Sequence, residues 1–172
     1  MKELRITTGI YKGRKIATPG EKTHPMGERE RIALFNMITG DVAGARILDA
    51  YAGSGALGIE ALSRGASEVE FLEKSPAAVK TIRENLRKLD LRARLVTGEA
   101  ENFTTDDGFD LILADPPYDD FDLPGLEYLA GFLKNGGVLV LSHPDEAPSL
   151  PEMKLIKSRK YAAAHLSVYV KR

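Results

Sequence analysis

The 172-residue chain contains no cysteine. Disulfides, thiolate metal sites and reactions through a cysteine nucleophile are therefore excluded. Histidine is scarce too. His24, His143 and His165 have no neighbours at ligand spacing, so packing or surface roles are expected for them and no metal centre is. No apolar run approaches the ~18 residues of a membrane-spanning helix. The opening Met1-Lys2-Glu3-Leu4-Arg5 lacks the apolar stretch of a secretion signal, so a cytoplasmic location is expected. Repeats and low-complexity tracts are also missing. What remains is an ordinary globular composition, 43% hydrophobic and 28% charged, at a length that supports one core.

Neither sign of charge dominates, with a net charge of −1, but the distribution is uneven. Residues 1–31 carry eight Lys/Arg against four Glu, whereas residues 106–152 carry eleven Asp/Glu against one Lys. The last twenty residues hold six Lys/Arg and no acid. Two basic ends flanking an acidic stretch can build a polyanion-facing surface on a neutral protein.

Residues 4–7 and 14–17 read as a hairpin joined through Gly9 and Gly13. Residues 29–38 have helical spacing, with Ile32, Phe35 and Ile38 on one side. From residue 46 strands and helices alternate. Strands are expected at 46–50, 68–72, 94–96, 109–114 and 138–141, with a final antiparallel pair at 154–158 and 165–170. Between them lie a helix through Leu57, Ile59 and Leu62, and a helix begun by Ser75-Pro76 with Val79, Ile82, Leu86 and Leu89 on one stripe. A further helix is expected at 126–133, ended by Asn135-Gly136-Gly137. The class is α/β: a doubly wound, mostly parallel seven-stranded sheet with an antiparallel C-terminal edge hairpin. A small β-extension (residues 1–26) precedes the main domain (27–172).

The loop after the first strand of the sheet, Asp49-Ala50-Tyr51-Ala52-Gly53-Ser54-Gly55, leads through Ala56 and Leu57 to Gly58. Its glycines allow close approach of a ligand to a helix N-terminus, and Glu73 ends the next strand, where an acid can bind ribose hydroxyls. This spacing suits NAD and S-adenosylmethionine alike, and tight turns with close helix–sheet packing would also produce it. Asp49 separates the two ligands. A carboxylate there repels a pyrophosphate and attracts a ligand carrying an ammonium and a sulfonium.

The fourth sheet strand runs into Asp115-Pro116-Pro117-Tyr118. Two prolines stop the strand and fix a rigid turn at the C-terminal sheet edge, where ligands of open α/β sheets bind. An exocyclic base amine is a poor nucleophile because its lone pair is delocalised into the ring. The Asp115 carboxylate and the Pro116 carbonyl can each accept one N–H, which draws the nitrogen towards tetrahedral geometry. Tyr118 offers a ring for stacking an unpaired base. Taken alone, Asp-Pro-Pro-Tyr also suits a simple turn.

The order of these motifs resembles the RsmD family, the bacterial small-subunit (16S) ribosomal RNA guanine-N2 methyltransferases. Residues 5–16 are similar to that family's N-terminal hairpin, residues 25–36 to its first helix, and residues 160–169 to its closing strands. The resemblance implies a class I methyltransferase fold, S-adenosylmethionine as donor, and a guanine in small-subunit rRNA as substrate, presented on the assembled or assembling subunit. Asp49, Tyr51, Ala52, Gly53, Ser54, Gly55, Glu73, Lys74 and Asp115 are then expected to hold the cofactor, with Glu99 and Ala100 near its adenine. Asp115, Pro116, Pro117 and Tyr118 would handle the base. Arg5, Lys12, Arg14 and Lys15 become RNA contacts, and Arg29 and Arg31 would line the entrance. A monomer is implied. The chain departs from the family pattern at His24-Pro25-Met26-Gly27, at Ile32 and at Ser75, the last predicting slightly weaker cofactor binding.

Other readings keep some claim. DNA adenine or cytosine-N4 methylation uses the same amine chemistry, but 172 residues leave no room for a recognition domain. Cytosine-C5 methylation requires the missing cysteine. Glutamine methylation leaves the basic hairpin unexplained. An NAD-dependent oxidoreductase is opposed by Asp49, and a non-catalytic ribosome-assembly factor by the intact Asp115–Tyr118 segment.

Overall fold

The computed structural model describes residues 2–20, 26–161 and 164–172. The departure at His24-Pro25 therefore lies outside the described residues.

Two short antiparallel strands, β1 (Glu3–Arg5) and β2 (Lys15–Ala17), form the N-terminal hairpin. They have no core of their own. Ile6 and Ile16 are buried in the same apolar cluster as Leu34, Phe35 and Ile59. Gly9 fixes the approach: its φ is +89°, and a Cβ added there would stand 1.8 Å from the Ser63 carbonyl oxygen. Only glycine fits both demands.

Helix α1 (Glu28–Met37) buries Arg31, Leu34 and Phe35, with Ile38 following at the cap. That corrects the expected face, since Ile32 is 36% exposed. Positions 31, 34, 35 and 38 follow helical spacing more closely than 32, 35 and 38 do, but the stripe includes an arginine. Arg31 is only 2% exposed because Glu60 receives it.

The main sheet contains β3 (Arg46–Ala50), β4 (Glu68–Glu73), β5 (Arg94–Thr97), β6 (Phe109–Ala114), β7 (Leu133–His143), β8 (Met153–Tyr161) and β9 (Ala164–Lys171). Its order is β5-β4-β3-β6-β7-β9-β8. The first five strands in that order pair in parallel and β9 is antiparallel to both neighbours, as the sequence predicts. Alternation decides the layers. Ile47, Leu111, Val138 and Val140 face α1, α2 (Ala56–Ser63) and α3 (Pro76–Lys88), while Leu48, Ile112, Leu139 and Leu141 face α4 (Leu123–Ala130). Ser75 caps α3 through its side chain, accepting from Ala78 N–H, and the stripe Val79, Ile82, Leu86 and Leu89 is buried as predicted.

Helix α4 corrects the expected 126–133. Asp122 accepts from the Gly125 amide and Pro124 stands in the first turn, so the helix starts three residues earlier and ends at Ala130. Residues 133–137, including Asn135-Gly136-Gly137, open β7 instead.

Candidate active site

The parallel strands β3, β4 and β6 end together, and each delivers a carboxylate. Asp49 is 1% exposed on β3, and its Oδ2 accepts from the Gly58 N–H in α2 at 2.9 Å. That bond ties the strand to the helix that follows the loop. Burial pushes the Asp49 carboxyl well above its ordinary range, and the negative charges of Asp115 and Glu73 push the same way. The Gly58 amide opposes them. A buried acid with two further carboxylates acting on it forms a site prepared for a positive ligand.

The loop geometry agrees. Tyr51 (φ 57°), Gly53 (φ 59°) and Gly55 (φ 83°) all adopt left-handed backbone, and the Gly55 N–H closes the turn on the Ala52 carbonyl at 2.7 Å. The Gly53 N–H donates to Glu73 Oε2 at 2.8 Å, and the Ser75 N–H donates to Oε1 at 2.9 Å. Glu73 is thus held from two sides, and each oxygen keeps a lone pair for a hydroxyl. Ser75 contributes to that hold through its backbone. A Cβ at Gly53 would meet nothing within 4 Å, so the space before the loop is open. The Tyr51 hydroxyl is buried beside Asp122, and burial, with that negative charge second, makes it harder to ionise. Asn85 of α3 clamps the loop from behind, donating to the Ser54 carbonyl at 3.0 Å. At the rim, Lys74 reaches Glu99 at 3.9 Å and Asp120 at 3.5 Å, and Ala100 is buried next to Glu99. These features fit S-adenosylmethionine: carboxylates for its cationic groups and ribose, open backbone for close approach, and no phosphate-binding cation at the loop.

Asp115 follows β6 and is partly buried; Pro116 is buried, while Pro117 and Tyr118 are exposed. Burial pushes the Asp115 carboxyl up to about 6, against the pull of the Ser142 hydroxyl. Ser142, near the end of β7, also hydrogen-bonds the Tyr118 hydroxyl. One buried serine therefore ties both ends of the Asp-Pro-Pro-Tyr segment. Sequence reading passed over Ser142, although its place near the C-terminal end of a central strand is the signal that would have found it.

Among the expected RNA contacts, Arg5, Lys12, Arg14, Lys15 and Arg29 are exposed. Arg5 pairs with Glu28 at 3.2 Å, and Arg14 donates to the Lys88 carbonyl at 3.3 Å. Arg31 is a correction: it lies buried, 3.8 Å from Glu60, and donates to the Arg5 carbonyl at 2.7 Å. It supports the hairpin and cannot meet a phosphate from there. His143 and His165 stack at 5.6 Å, with His143 Nε2 against the Ser167 hydroxyl at 2.7 Å. Among the described residues no cluster of His, Asp or Glu is arranged to hold a metal.

The family described as "Conserved hypothetical protein 95" matches residues 4–170. YlbH of Bacillus subtilis is 35% identical over 98% of this chain and its own full length. "Ribosomal RNA small subunit methyltransferase D" of Haemophilus influenzae is 34% identical, and its Escherichia coli counterpart 36%, each over 67% of this chain. Those two alignments span 64% and 61% of the relatives' lengths. The solved structure of yhhF from Escherichia coli superposes with a TM-score of 0.87 at 30% identity, covering 99% of this chain and 98% of that one.

Proposed function

The chain belongs to the conserved hypothetical protein 95 family, that of RsmD, and from this premise we propose that it methylates the exocyclic N2 amine of a guanine in small-subunit ribosomal RNA. The observation that carries the reading is the convergence of Asp49, Glu73 and the Asp115–Tyr118 segment at one sheet edge. The anionic carboxylates beside the loop support S-adenosylmethionine, a cationic ligand, as the donor.

When bound, S-adenosylmethionine supplies a methyl group on a positively charged sulfur. Asp49 and Glu73 hold its charged and hydroxyl groups, and the glycine loop lets the backbone lie close. The ionised Asp115 and the Pro116 carbonyl accept the two N–H groups of the base amine, so its lone pair is directed at the methyl carbon. The Tyr118 ring, anchored through its hydroxyl by Ser142, stacks on the base. Once methylated, the nitrogen is acidic and releases its extra proton to Asp115 or to water.

The hairpin and Arg29 supply positive charge beside the entrance, and the protein acts as a monomer on assembled or assembling small subunits. A ribosomal substrate implies work in the cytoplasm. No described helix is long and apolar enough to cross a membrane.

Nucleoside analysis of small-subunit rRNA from cells lacking the protein tests the reading. One N2-methylguanosine should disappear and return with the wild-type chain but not with Asp115→Ala. Rescue by Asp115→Ala would instead favour the non-catalytic assembly role.

A further inference from the structure

A groove of about 350 Å³ runs between α1 and β8, separate from the residues assigned to cofactor and base. It is lined by Arg29, Ile32, Asn36, Lys157, Arg159 and Tyr161, among others. On β8, Lys157, Arg159 and Tyr161 alternate along the strand and so share the face turned to α1. None of Arg29, Lys157 and Arg159 has an ion-pair partner among the described residues. The acids of α1 are directed elsewhere: Glu28 pairs with Arg5, and Glu30 acts on Tyr118.

The groove is also placed on the catalytic side of the sheet. Arg159 is level with Leu166 of β9, which is level with Ser142 of β7, the residue that anchors Tyr118. Two strand spacings, roughly 10 Å, separate the Arg159 and Ser142 backbones. Cations without an ion-pair partner among the described residues, beside a half-buried tyrosine and an exposed isoleucine, make a surface for a polyanion that also presents flat apolar faces.

We propose that the α1–β8 groove holds the single-stranded RNA flanking the target nucleotide, with Arg29, Lys157 and Arg159 on its phosphates and Tyr161 and Ile32 against its bases. This rests on the RNA methyltransferase reading and extends it to a second contact surface, apart from the N-terminal hairpin. It gives the basic C-terminal strands a role and puts Ile32, one of the departures from the family pattern, in the wall that meets RNA.

The test is fluorescence anisotropy with a labelled 20-nucleotide single-stranded RNA across a salt series, using the full chain and Lys157→Ala/Arg159→Ala. A contact to single-stranded RNA contributes about 0.7 to the log–log salt slope, hence about fivefold in affinity at 0.1 M salt. The double variant should therefore bind about 25-fold more weakly, with a slope flatter by about 1.4, while its S-adenosylmethionine affinity by calorimetry stays at the wild-type value. Arg159→Lys should keep the slope. Wild type that binds RNA with a double variant equal to it in affinity and slope overturns the groove alone. Wild type that binds no RNA at low salt overturns the groove together with the RNA reading. If the double variant binds RNA normally but sediments as a smaller species than wild type, the groove is a self-association face and the proposal fails.

Discussion

At the residue scale, Asp115 carries opposite consequences for activity and stability. Its carboxylate is a stronger acceptor of a base N–H than its neutral acid, so the transfer rate should rise with pH through about 6 and level off above it. Ser142→Ala removes the hydroxyl that favours the charged form. The acid limb should then move above 6, a shift that a purely structural serine would not cause. For folding the sign reverses: a carboxyl raised by burial stabilises the fold fully below the ordinary value of 3.8, and that contribution is lost as pH rises towards 6. Asp115→Asn should thus raise the Tm of the ligand-free protein at pH 7.5, by an amount corresponding to about 1–3 kcal/mol, while transfer falls at least about a hundredfold. A thermal melt and an initial-rate assay check both halves. Asp49, Glu73 and Asp115 were legible in the sequence because each ends a strand. Ser142 was not, since only pairing of β6 with β7 brings it to the Asp-Pro-Pro-Tyr segment.

At the element scale, the hairpin depends on Glu60. This carboxylate of α2 is 1% exposed and accepts from the Thr7 N–H at 2.9 Å, the Thr7 hydroxyl at 2.7 Å and the Thr8 N–H at 3.2 Å. Arg31 of α1 and Arg64, the C-cap of α2, flank it at 3.8 and 3.6 Å. Three segments meet on one buried charge, so removing it strands two cations. Glu60→Ala should cost about 3–5 kcal/mol in urea denaturation, with the Thr7 and Thr8 amides losing hydrogen-exchange protection ahead of the sheet. Unchanged exchange at those amides would mean the hairpin is held by Ile6 and Ile16 instead. Periodicity found every sheet strand and the α3 stripe. It misplaced α4, because the leucines at 129 and 133 outweighed the cap at Asp122, and it turned Ile32 of α1 inwards, because charged Arg31 did not look like a core residue.

At the scale of the whole molecule, a net charge of −1 conceals where the cations lie. The sequence showed that both ends are basic, but not that α1 and β8, more than a hundred residues apart, form a single groove. Folding alone supplies that. The hairpin predicts a separate effect: Lys12→Ala and Arg14→Ala should each weaken RNA binding across sequences and flatten the salt slope by under one unit. Equal affinity at low salt for both variants would remove the hairpin from the RNA surface. The central claim concerns chemistry, however, and one measurement addresses it most directly. Undermethylated small ribosomal subunits are incubated with methyl-labelled S-adenosylmethionine and either the wild-type chain or Asp115→Ala, then digested to nucleosides. Label in N2-methylguanosine with wild type, and none with the variant, is the predicted result. Label in another nucleoside, or equal label with both proteins, would contradict the account.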